Sequence, residues 1–379
     1  MRRSRCWSTL FVTLVLNGSP GIVGAAPTDS ESDPAGSSVE LAEPLPNEPT
    51  QEAQAVRRQR TFVWGELNLV GAYSSSDERI DSTPRPQRSS AGFEVAGVRR
   101  RGFGPVVTPA RHLAGVRFDV HPLLIYDPID NAVELVVHDA WLQLDLTDRR
   151  QTKLKLGHFL IPFGQNPVLE PRGFFLLPLT SKDLGFKRDW GLSAQRGVGN
   201  HALEVALTAG SGLGVHLMDG SYLLTARLGT PTYKDLQVGI SILAGRVPEI
   251  RAEELLSTEP LSRWRFAGDG IYKLGTYTVL KAEVAAGRDR DTPVAGYQFG
   301  FDYIPPRAQD LEIKSQISSW FNDLDDRSSD DTDLTVGLSY SLNTVTSLSA
   351  YYMVDLHRAD SGEDHRLFLQ MHIFSRIHS

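Results

Sequence analysis

The segment 139–195 most constrains the fold, because apolar and polar residues alternate along it with a period of two. It contains DAWLQLDL, a charged turn, KLKLGHFLIPFG, a long insertion and WGLSAQ. Period two places one set of side chains on each face of a β-strand, so each strand has an apolar and a polar face. Segments of about ten alternating residues joined by turns are typical of a transmembrane β-barrel. We therefore predict an all-β fold, a transmembrane antiparallel β-barrel.

The connections between alternating segments favour the same architecture. From Thr61 onward sixteen such segments can be placed. Long polar connections mostly alternate with tight ones, as external loops and periplasmic turns do in outer-membrane barrels. An even strand number also returns both chain ends to the periplasm. The predicted long connections are 74–91, 164–186, 210–221, 246–260, 323–332 and 357–364.

The amino-terminal residues 1–25 have the pattern of a signal peptide. Three arginines precede the short apolar stretch 7–16, and a Val-Gly-Ala sequence ends at residue 25. The apolar stretch is too short to cross a bilayer as a helix, which needs about 20 residues. Residues 26–60 are rich in Pro, Glu, Ser and Ala, which predicts a disordered periplasmic linker. The barrel is predicted to occupy 61–379.

Composition excludes two other classes of protein. The single cysteine, Cys6, lies inside the predicted signal peptide, so the mature chain has no disulfide with which to stabilise itself. A closed, hydrogen-bonded barrel needs none. The formal net charge is −7, and no basic cluster is interleaved with aromatic residues, which argues against nucleic acid as a partner.

Parts of the chain resemble a known porin family. HDAWLQLDL, KLKLGHFLIPFG and TSKDLGFKRDWGLSAQ are similar to the core of the phosphate-selective porin O and P family, with weaker similarity in GFEVAGVRRR and LKAEVAAG. The resemblance implies a sixteen-stranded outer-membrane porin, often trimeric, that passes small anions such as phosphate. The residues that carry it are Gly157, Phe159, Pro162, Phe163, Gly164, Ser181, Arg188, Asp189 and Gly191.

The insertion 164–186 is the candidate selectivity element. In general porins the third external loop folds into the lumen and narrows it, and the resemblance implies the same here. The insertion is unusually apolar, which fits a segment packed inside the barrel. Fixed positive charge at a constriction attracts anions. The candidate constriction cations are Arg172, Lys182, Lys187 and Arg188.

Basic residues on the polar faces of the strands are candidates for the lumen wall. Acidic residues follow the same parity, so ordinary salt bridges across the strands are the alternative for each. No dense run of arginines forms a ladder, which leaves a general pore open beside phosphate binding. The basic candidates are Arg117, Lys153, Lys155, Arg227, Arg263, Arg265, Lys281 and Lys314, and the acidic residues are Asp119, Asp139, Asp145, Glu204, Glu283 and Glu312.

Other chemistry has little support in the sequence. The acidic run 323–333 lacks the glycine and the final glutamate of an EF-hand loop, which favours a solvated external loop. Bridging divalent ions to lipopolysaccharide is the alternative for this run. Catalytic motifs for serine hydrolysis, zinc proteolysis and nucleotide binding are missing. We predict no catalytic residue, no metal ligand and no cofactor.

We interpret the chain as a porin in the outer membrane of a Gram-negative-type bacterium that allows passive diffusion of small hydrophilic solutes. The expected partners are outer-membrane lipid and lipopolysaccharide, small anions such as phosphate, and further copies in a homotrimer. A plugged structural or adhesion barrel is one alternative. An outer-membrane lipid hydrolase with a Ser and a His on the barrel wall is another.

Phe374 is a departure from the pattern of such barrels, many of which end on an aromatic residue that the assembly machinery reads. Phe374 lies five residues before the end, on the same parity as Arg366 and Gln370, which predicts that it faces inward. Either the last strand carries a bulge or the assembly signal is degenerate.

Overall fold

The computed structural model describes the barrel and parts of its loops. The described residues are 59–75, 79–80, 88–100, 115–127, 131–146, 152–167, 176–214, 220–230, 234–251, 254–326, 330–357 and 364–378. The predicted signal peptide, nearly all of the predicted linker and Arg172 lie outside these ranges, so those predictions stay open. Within the described ranges, no helix has the length and apolar character to cross a membrane.

Sixteen long strands and one two-residue strand make up the described sheet, with one short helix between the sixth and seventh strands. Their bounds are β1 Gln59–Ser74, β2 Arg79–Ile80, β3 Ser90–Arg100, β4 Gly115–Asp127, β5 Ala132–Asp145, β6 Thr152–Leu160, α1 Leu179–Asp183, β7 Arg188–Val198, β8 His201–Thr208, β9 Tyr222–Gly229, β10 Leu236–Arg251, β11 Glu254–Leu274, β12 Thr278–Asp289, β13 Thr292–Tyr303, β14 Leu311–Phe321, β15 Asp330–Ser341, β16 Thr346–His357 and β17 Asp364–His378.

The sheet closes on itself. β1 pairs with β3 on one side and with β17 on the other, and all neighbouring strands are antiparallel. Closure satisfies the backbone hydrogen bonds of the long strands and leaves no edge, which a sheet in lipid requires. The predicted sixteen-stranded antiparallel barrel is confirmed.

The two faces of the wall differ as the sequence period predicts. On β10, Ile240 and Ile242 are 52% and 55% exposed, whereas Ser241 between them is 2% exposed. The outward rows on β13 and β15 also carry exposed apolar residues. Exposed tyrosines stand near strand ends, where interfacial girdles lie in membrane barrels. The exposed residues of these rows and ends are Phe299, Phe301, Leu334, Val336, Leu338, Tyr340, Tyr73 and Tyr222.

The predicted long loop 246–260 is wrong, because the β10–β11 hairpin continues through it. The strands pair as far as Arg251 with Glu254, with register shifts around Pro248. Pro248 and Pro260 interrupt the sequence pattern, but proline is accepted at a bulge, where it withholds no ladder hydrogen bond. Val247 and Ile250 are buried by a loop inside the barrel, which stabilises the extended hairpin.

The final strand extends beyond Phe374 and contains a β-bulge, which is one of the two alternatives that the sequence allowed. Phe374 lies opposite the inward-facing Glu66, and its ring stacks on Trp64 with centroids 6.0 Å apart. The β1–β17 register shifts two pairs further on, between Val63 and Trp64, where Ile377 is the extra residue on β17. Phe374 therefore faces inward, as its parity predicts.

Candidate functional site

A loop between β6 and β7, residues 161–187, folds into the barrel, and we call it the inner loop. Its described parts are 161–167 and 176–187. Apolar residues of this loop pack against apolar residues on the inner faces of β9 to β14. As predicted for a third external loop, the insertion folds against the inside of the wall; its part in narrowing the lumen stays a prediction. The buried cluster consists of Ile161, Phe163, Leu179, Leu184, Phe186, Leu223, Leu243, Val247, Ile250, Ala267, Ala285, Val294 and Trp320.

The first part of the inner loop is hydrogen-bonded to β10, β11 and β12. The backbone N–H of Gly164 donates to Ser241 Oγ at 3.1 Å, and that of Gln165 donates to Glu283 Oε2 at 3.2 Å. The Gln165 side chain donates to the carbonyl oxygens of Gly270 and Ala282 at 3.0 and 2.7 Å. Gly164 has a φ of +54°, and a Cβ there would overlap the Glu283 carboxylate. A side chain here would displace the Glu283 carboxylate from the Gln165 N–H, and the positive φ also favours glycine.

The helix α1 is held to β11 by a buried ion pair. Arg265 Nη2 lies 2.8 Å from Asp183 Oδ1, and Arg265 Nη2 also lies 2.6 Å from Asp289 Oδ1. Arg263 Nη1 donates to the carbonyl oxygen of Asp183 at 3.0 Å. The Arg265 guanidinium lies 5.4 Å from the centre of the Trp320 ring. Arg263 and Arg265 thus fix the end of the helix, while Asp289 and Trp320 hold Arg265 in place.

The last turn of the helix is also held to β15, by Lys182. Its Nζ lies 2.8 Å from Asp331 Oδ1 and 2.6 Å from Asp333 Oδ2. Burial alone would lower the pKa of Lys182, but the carboxylates of Asp333 and Asp331 outweigh it and raise that pKa above its ordinary value. The acidic run 323–333 was predicted to be a solvated loop, which is wrong for these two aspartates. They belong to β15 and bind the inner loop.

The neck of the inner loop is closed by contacts between its two ends. The backbone N–H of Ile161 donates to the Lys187 carbonyl oxygen at 3.0 Å, and Asn166 Nδ2 donates to the same oxygen at 2.6 Å. Next to them, Arg188 Nη2 lies 3.0 Å from Asp139 Oδ2, with Arg188 Nε 3.2 Å from both oxygens. The neck is thereby joined to β5.

The predicted constriction cations are not gathered in one place. Arg188 and Lys187 lie at the neck and are buried, whereas Lys182 lies on the helix and contacts β15. Lys182 and Arg188 are each bound to aspartates, so their charges are balanced within the protein. Their part in anion selectivity stays a prediction, and the structure adds that they position the loop.

The predicted wall cations fall into two groups. Those on β9 to β14 are buried in ion pairs, for example Arg227 with Asp269 and Lys281 with Asp302. Those on β4 and β6 keep more contact with solvent. The members of the first group are Arg227, Arg263, Arg265, Lys281 and Lys314, and those of the second are Arg117, Lys153 and Lys155.

The second group faces the lumen with loose ion pairs. The side chain of Arg117 is 29% exposed and lies 3.4 Å from Asp145, and that of Lys155 is 22% exposed and lies 3.7 Å from Glu204. Lys153 Nζ donates to Gln195 Oε1 at 2.6 Å. The strands β4 and β6 lie across the lumen from β10–β15, where the inner loop is held. Arg117, Lys153 and Lys155 are therefore the predicted wall cations with the most contact with the lumen, and they lie beside the carboxylates of Asp145 and Glu204.

Asp189 has a positioning role that the sequence analysis missed. Its carboxylate accepts hydrogen bonds from the backbone N–H groups of Gly210, Ser211 and Gly212 at 2.5, 3.0 and 3.1 Å. It thereby holds the start of the next external loop, which packs against the inner loop. The Gly-Ser-Gly sequence was the available signal, because consecutive N–H groups in such a turn form an anion-binding concavity.

Comparisons with known proteins place the fold. No protein-family profile and no curated protein matches this sequence. OmpF of Salmonella typhi in complex with daunomycin matches with a TM-score of 0.64 at 9% identity, over 84% of this chain and 98% of that one. The anion-selective porin from Comamonas acidovorans matches with a TM-score of 0.58 at 11% identity, over 84% and 100%. The outer membrane channel DcaP of Acinetobacter baumannii matches with a TM-score of 0.56 at 12% identity, over 84% of this chain and 98% of that one.

These likenesses concern the fold. The chain has the architecture of outer-membrane porins, and its apolar outer surface and closed wall suit an outer-membrane location. At these identities the resemblance to the phosphate-selective family stays a prediction.

Proposed function

We propose that this chain is a non-enzymatic outer-membrane porin that passes small hydrophilic solutes by diffusion and weakly prefers anions. The inner loop is the observation that carries the proposal. It packs on the inside of the wall through an apolar cluster and buried ion pairs, so the passage is narrowed by a fixed element. A barrel that only anchors or adheres has no need of such an element.

The anion preference rests on the unequal distribution of charge around the lumen. The cations that hold the helix of the inner loop, Lys182 and Arg265, are buried against aspartates, which leaves little net field on that side. Arg117 and Lys155, on the opposite wall, are partly exposed and only loosely paired. Unpaired or loosely paired charge in a narrow aqueous passage selects by sign. The anion-selective porin among the fold neighbours supports this preference.

Phosphate is one of several anions that we expect to pass. The resemblance of the segments around Phe163 and Arg188 to the phosphate-selective family supports phosphate. Against a dedicated site, Lys182 and Arg188 are committed to carboxylates. We therefore propose that chloride and phosphate share the passage without a tight phosphate site.

Single-channel current in planar bilayers under a salt gradient tests the proposal. Folded protein, checked by heat-modifiable migration, should give steady conductance and a reversal potential biased toward anions. Added phosphate should lower chloride current only at concentrations near those of chloride. Folded protein without conductance would leave the plugged barrel, and release of fatty acid from phospholipid vesicles would support the lipid hydrolase instead.

A further inference from the structure

Two histidines and an aspartate meet on the inner wall, away from the residues that hold the helix of the inner loop. Potential ligand atoms of His121, His138 and Asp139 all lie within 4.8 Å of one another. The Nδ1 atoms of the two histidines are 3.3 Å apart, and His138 Nδ1 is 3.6 Å from Asp139 Oδ2. Two imidazoles and a carboxylate are a typical ligand set for zinc and related divalent ions.

A β-bulge brings these three residues together. His121 lies opposite Asp139, but the next residue, Pro122, lies opposite Val137, so His138 is the extra residue on β5. The bulge turns His138 and Asp139 to the same side of the wall, which consecutive residues of a regular strand cannot do. His158 Nδ1 donates to the His138 carbonyl oxygen at 3.0 Å and so satisfies one backbone group of the bulge. The bulge is therefore a stabilised feature.

Glu66 orients the His121 ring from the neighbouring part of the wall. Its Oε2 lies 2.8 Å from His121 Nε2, while its Oε1 lies 3.1 Å from His372 Nε2. A carboxylate beside Nε2 favours the tautomer with the proton on that nitrogen, which leaves the Nδ1 lone pair directed at His138. Histidine ligands of metals are commonly held in this way by a carboxylate on the other ring nitrogen.

The distances between the ligand atoms suit a tetrahedral ion. With bonds of about 2.0–2.1 Å, two ligand nitrogens of tetrahedral zinc are separated by about 3.3 Å. That is the separation of the two Nδ1 atoms. Arg188 binds the Asp139 carboxylate as well, but a carboxylate has about four lone-pair positions and accommodates both. With three protein ligands, one position stays open to water or an anion.

The geometry points to a divalent transition-metal site in the lumen wall, with zinc bound by His121 Nδ1, His138 Nδ1 and an Asp139 oxygen. The ion takes the place of the proton that otherwise lies between the two Nδ1 atoms, and that proton moves to His138 Nε2, so both imidazoles stay neutral ligands. At acidic pH an added proton competes with the ion for the ring nitrogens. The His138 side chain is 19% exposed, which gives the ion an entry from the lumen. A bound ion adds two positive charges to the wall.

Zinc binding to the untagged, detergent-solubilised barrel tests the site without reference to conductance. Calorimetric titration with ZnCl₂ should give saturable binding of one ion per chain, weaker at acidic pH. His138→Ala should weaken it at least about tenfold, and Glu66→Gln about tenfold, because lost supporting ligands typically cost 10–100-fold in affinity. His201→Ala is the matched control, since His201 is exposed at the start of β8. It should bind zinc as the wild type does.

Electron paramagnetic resonance of bound Cu²⁺ checks the ligand set even where a variant fails to fold. The wild-type spectrum should show coupling to two imidazole nitrogens. A spectrum without nitrogen coupling, or zinc affinity unchanged in folded His138→Ala, would overturn the site. Failure of the porin proposal would leave these binding results untouched, because no current is measured. Where current is present, zinc should change it in the wild type and not in His138→Ala.

Discussion

Arg265 of β11 and Asp183 of the inner loop form an ion pair that is sealed from solvent. Nη2 and Oδ1 are 2.8 Å apart, and the Arg265 side chain has no exposed surface. Burying two charges costs desolvation free energy that their attraction only repays when the geometry is good and further hydrogen bonds are made. Here the additional contacts are Asp289 and two backbone carbonyl oxygens. The pair therefore fixes a position more than it adds stability.

Replacing Asp183 with alanine should release the inner loop. Arg265 would keep a buried charge with only Asp289 beside it, and removal of one partner of a buried pair costs about 3–5 kcal/mol. We expect larger and noisier single-channel conductance, together with faster proteolysis inside 176–187. Asp325→Ala is the control, because Asp325 is exposed in the connection after β14. Unchanged conductance in Asp183→Ala would show that the pair does not hold the constriction.

Gly185 should be intolerant of a side chain for two separable reasons. Its φ is +78°, and a Cβ would overlap the Ile250 carbonyl oxygen on β10. Gly199 has a φ of +58° but open space around a Cβ, so Gly199→Ala measures the conformational cost alone. That cost is about 1–2 kcal/mol. Gly185→Ala should lower the free energy of unfolding by about a further 1–3 kcal/mol, as overpacking does. If urea titrations give the same decrease in the free energy of unfolding for Gly185→Ala and Gly199→Ala, the predicted overlap with Ile250 is contradicted.

Arg117 and Lys155 should carry part of the anion preference. A unit charge about 8 Å from an ion in water contributes about 0.5 kcal/mol, which corresponds to about a twofold change in relative permeability. Arg117→Gln and Lys155→Gln should each shift the reversal potential toward cations by that factor, more strongly at low salt. Arg307→Gln removes the same charge from an exposed turn and should shift nothing. If the reversal potential shifts no more than in the Arg307→Gln control, Arg117 and Lys155 do not contribute to the anion preference.

Asp189→Asn should loosen the start of the external loop after β8. The neutral amide keeps the shape but loses the charge that accepts from three backbone N–H groups. Each hydrogen bond to a charged group contributes about 1.5–3 kcal/mol. Hydrogen exchange of Gly210, Ser211 and Gly212 should accelerate while the strands stay protected. Asp310→Asn, in an exposed turn, should leave the exchange unchanged, and protection retained in Asp189→Asn would contradict the role.

The wall of the barrel was predictable from sequence because its cause is local. Alternation within one strand assigns a residue to a face, and the outward rows such as Leu334 to Tyr340 followed directly. The inner face of β10 also carried a sequence signal for the contact with the inner loop. Leu243 and Val247 interrupt its polar parity, which indicates that something apolar covers that face.

The partners of the inner loop were not predictable, because they are distant in the chain. Lys182 meets Asp333 across 151 positions, and nothing in the local pattern of either residue indicates the other. The bulge at His138 was also not predictable from the local sequence pattern. One extra residue on β5 changes which side chains share a face, and it is visible only once the β4–β5 register is known.

The positions that hold the inner loop have a consequence for the order of assembly. The loop leaves the wall after β6, yet its described anchors Ser241, Glu283, Arg265 and Asp333 all belong to β10–β15. A nascent barrel that has formed only its first half therefore has no surface on which the loop can settle. We therefore expect the inner loop to reach its final position only after the second half of the barrel has formed.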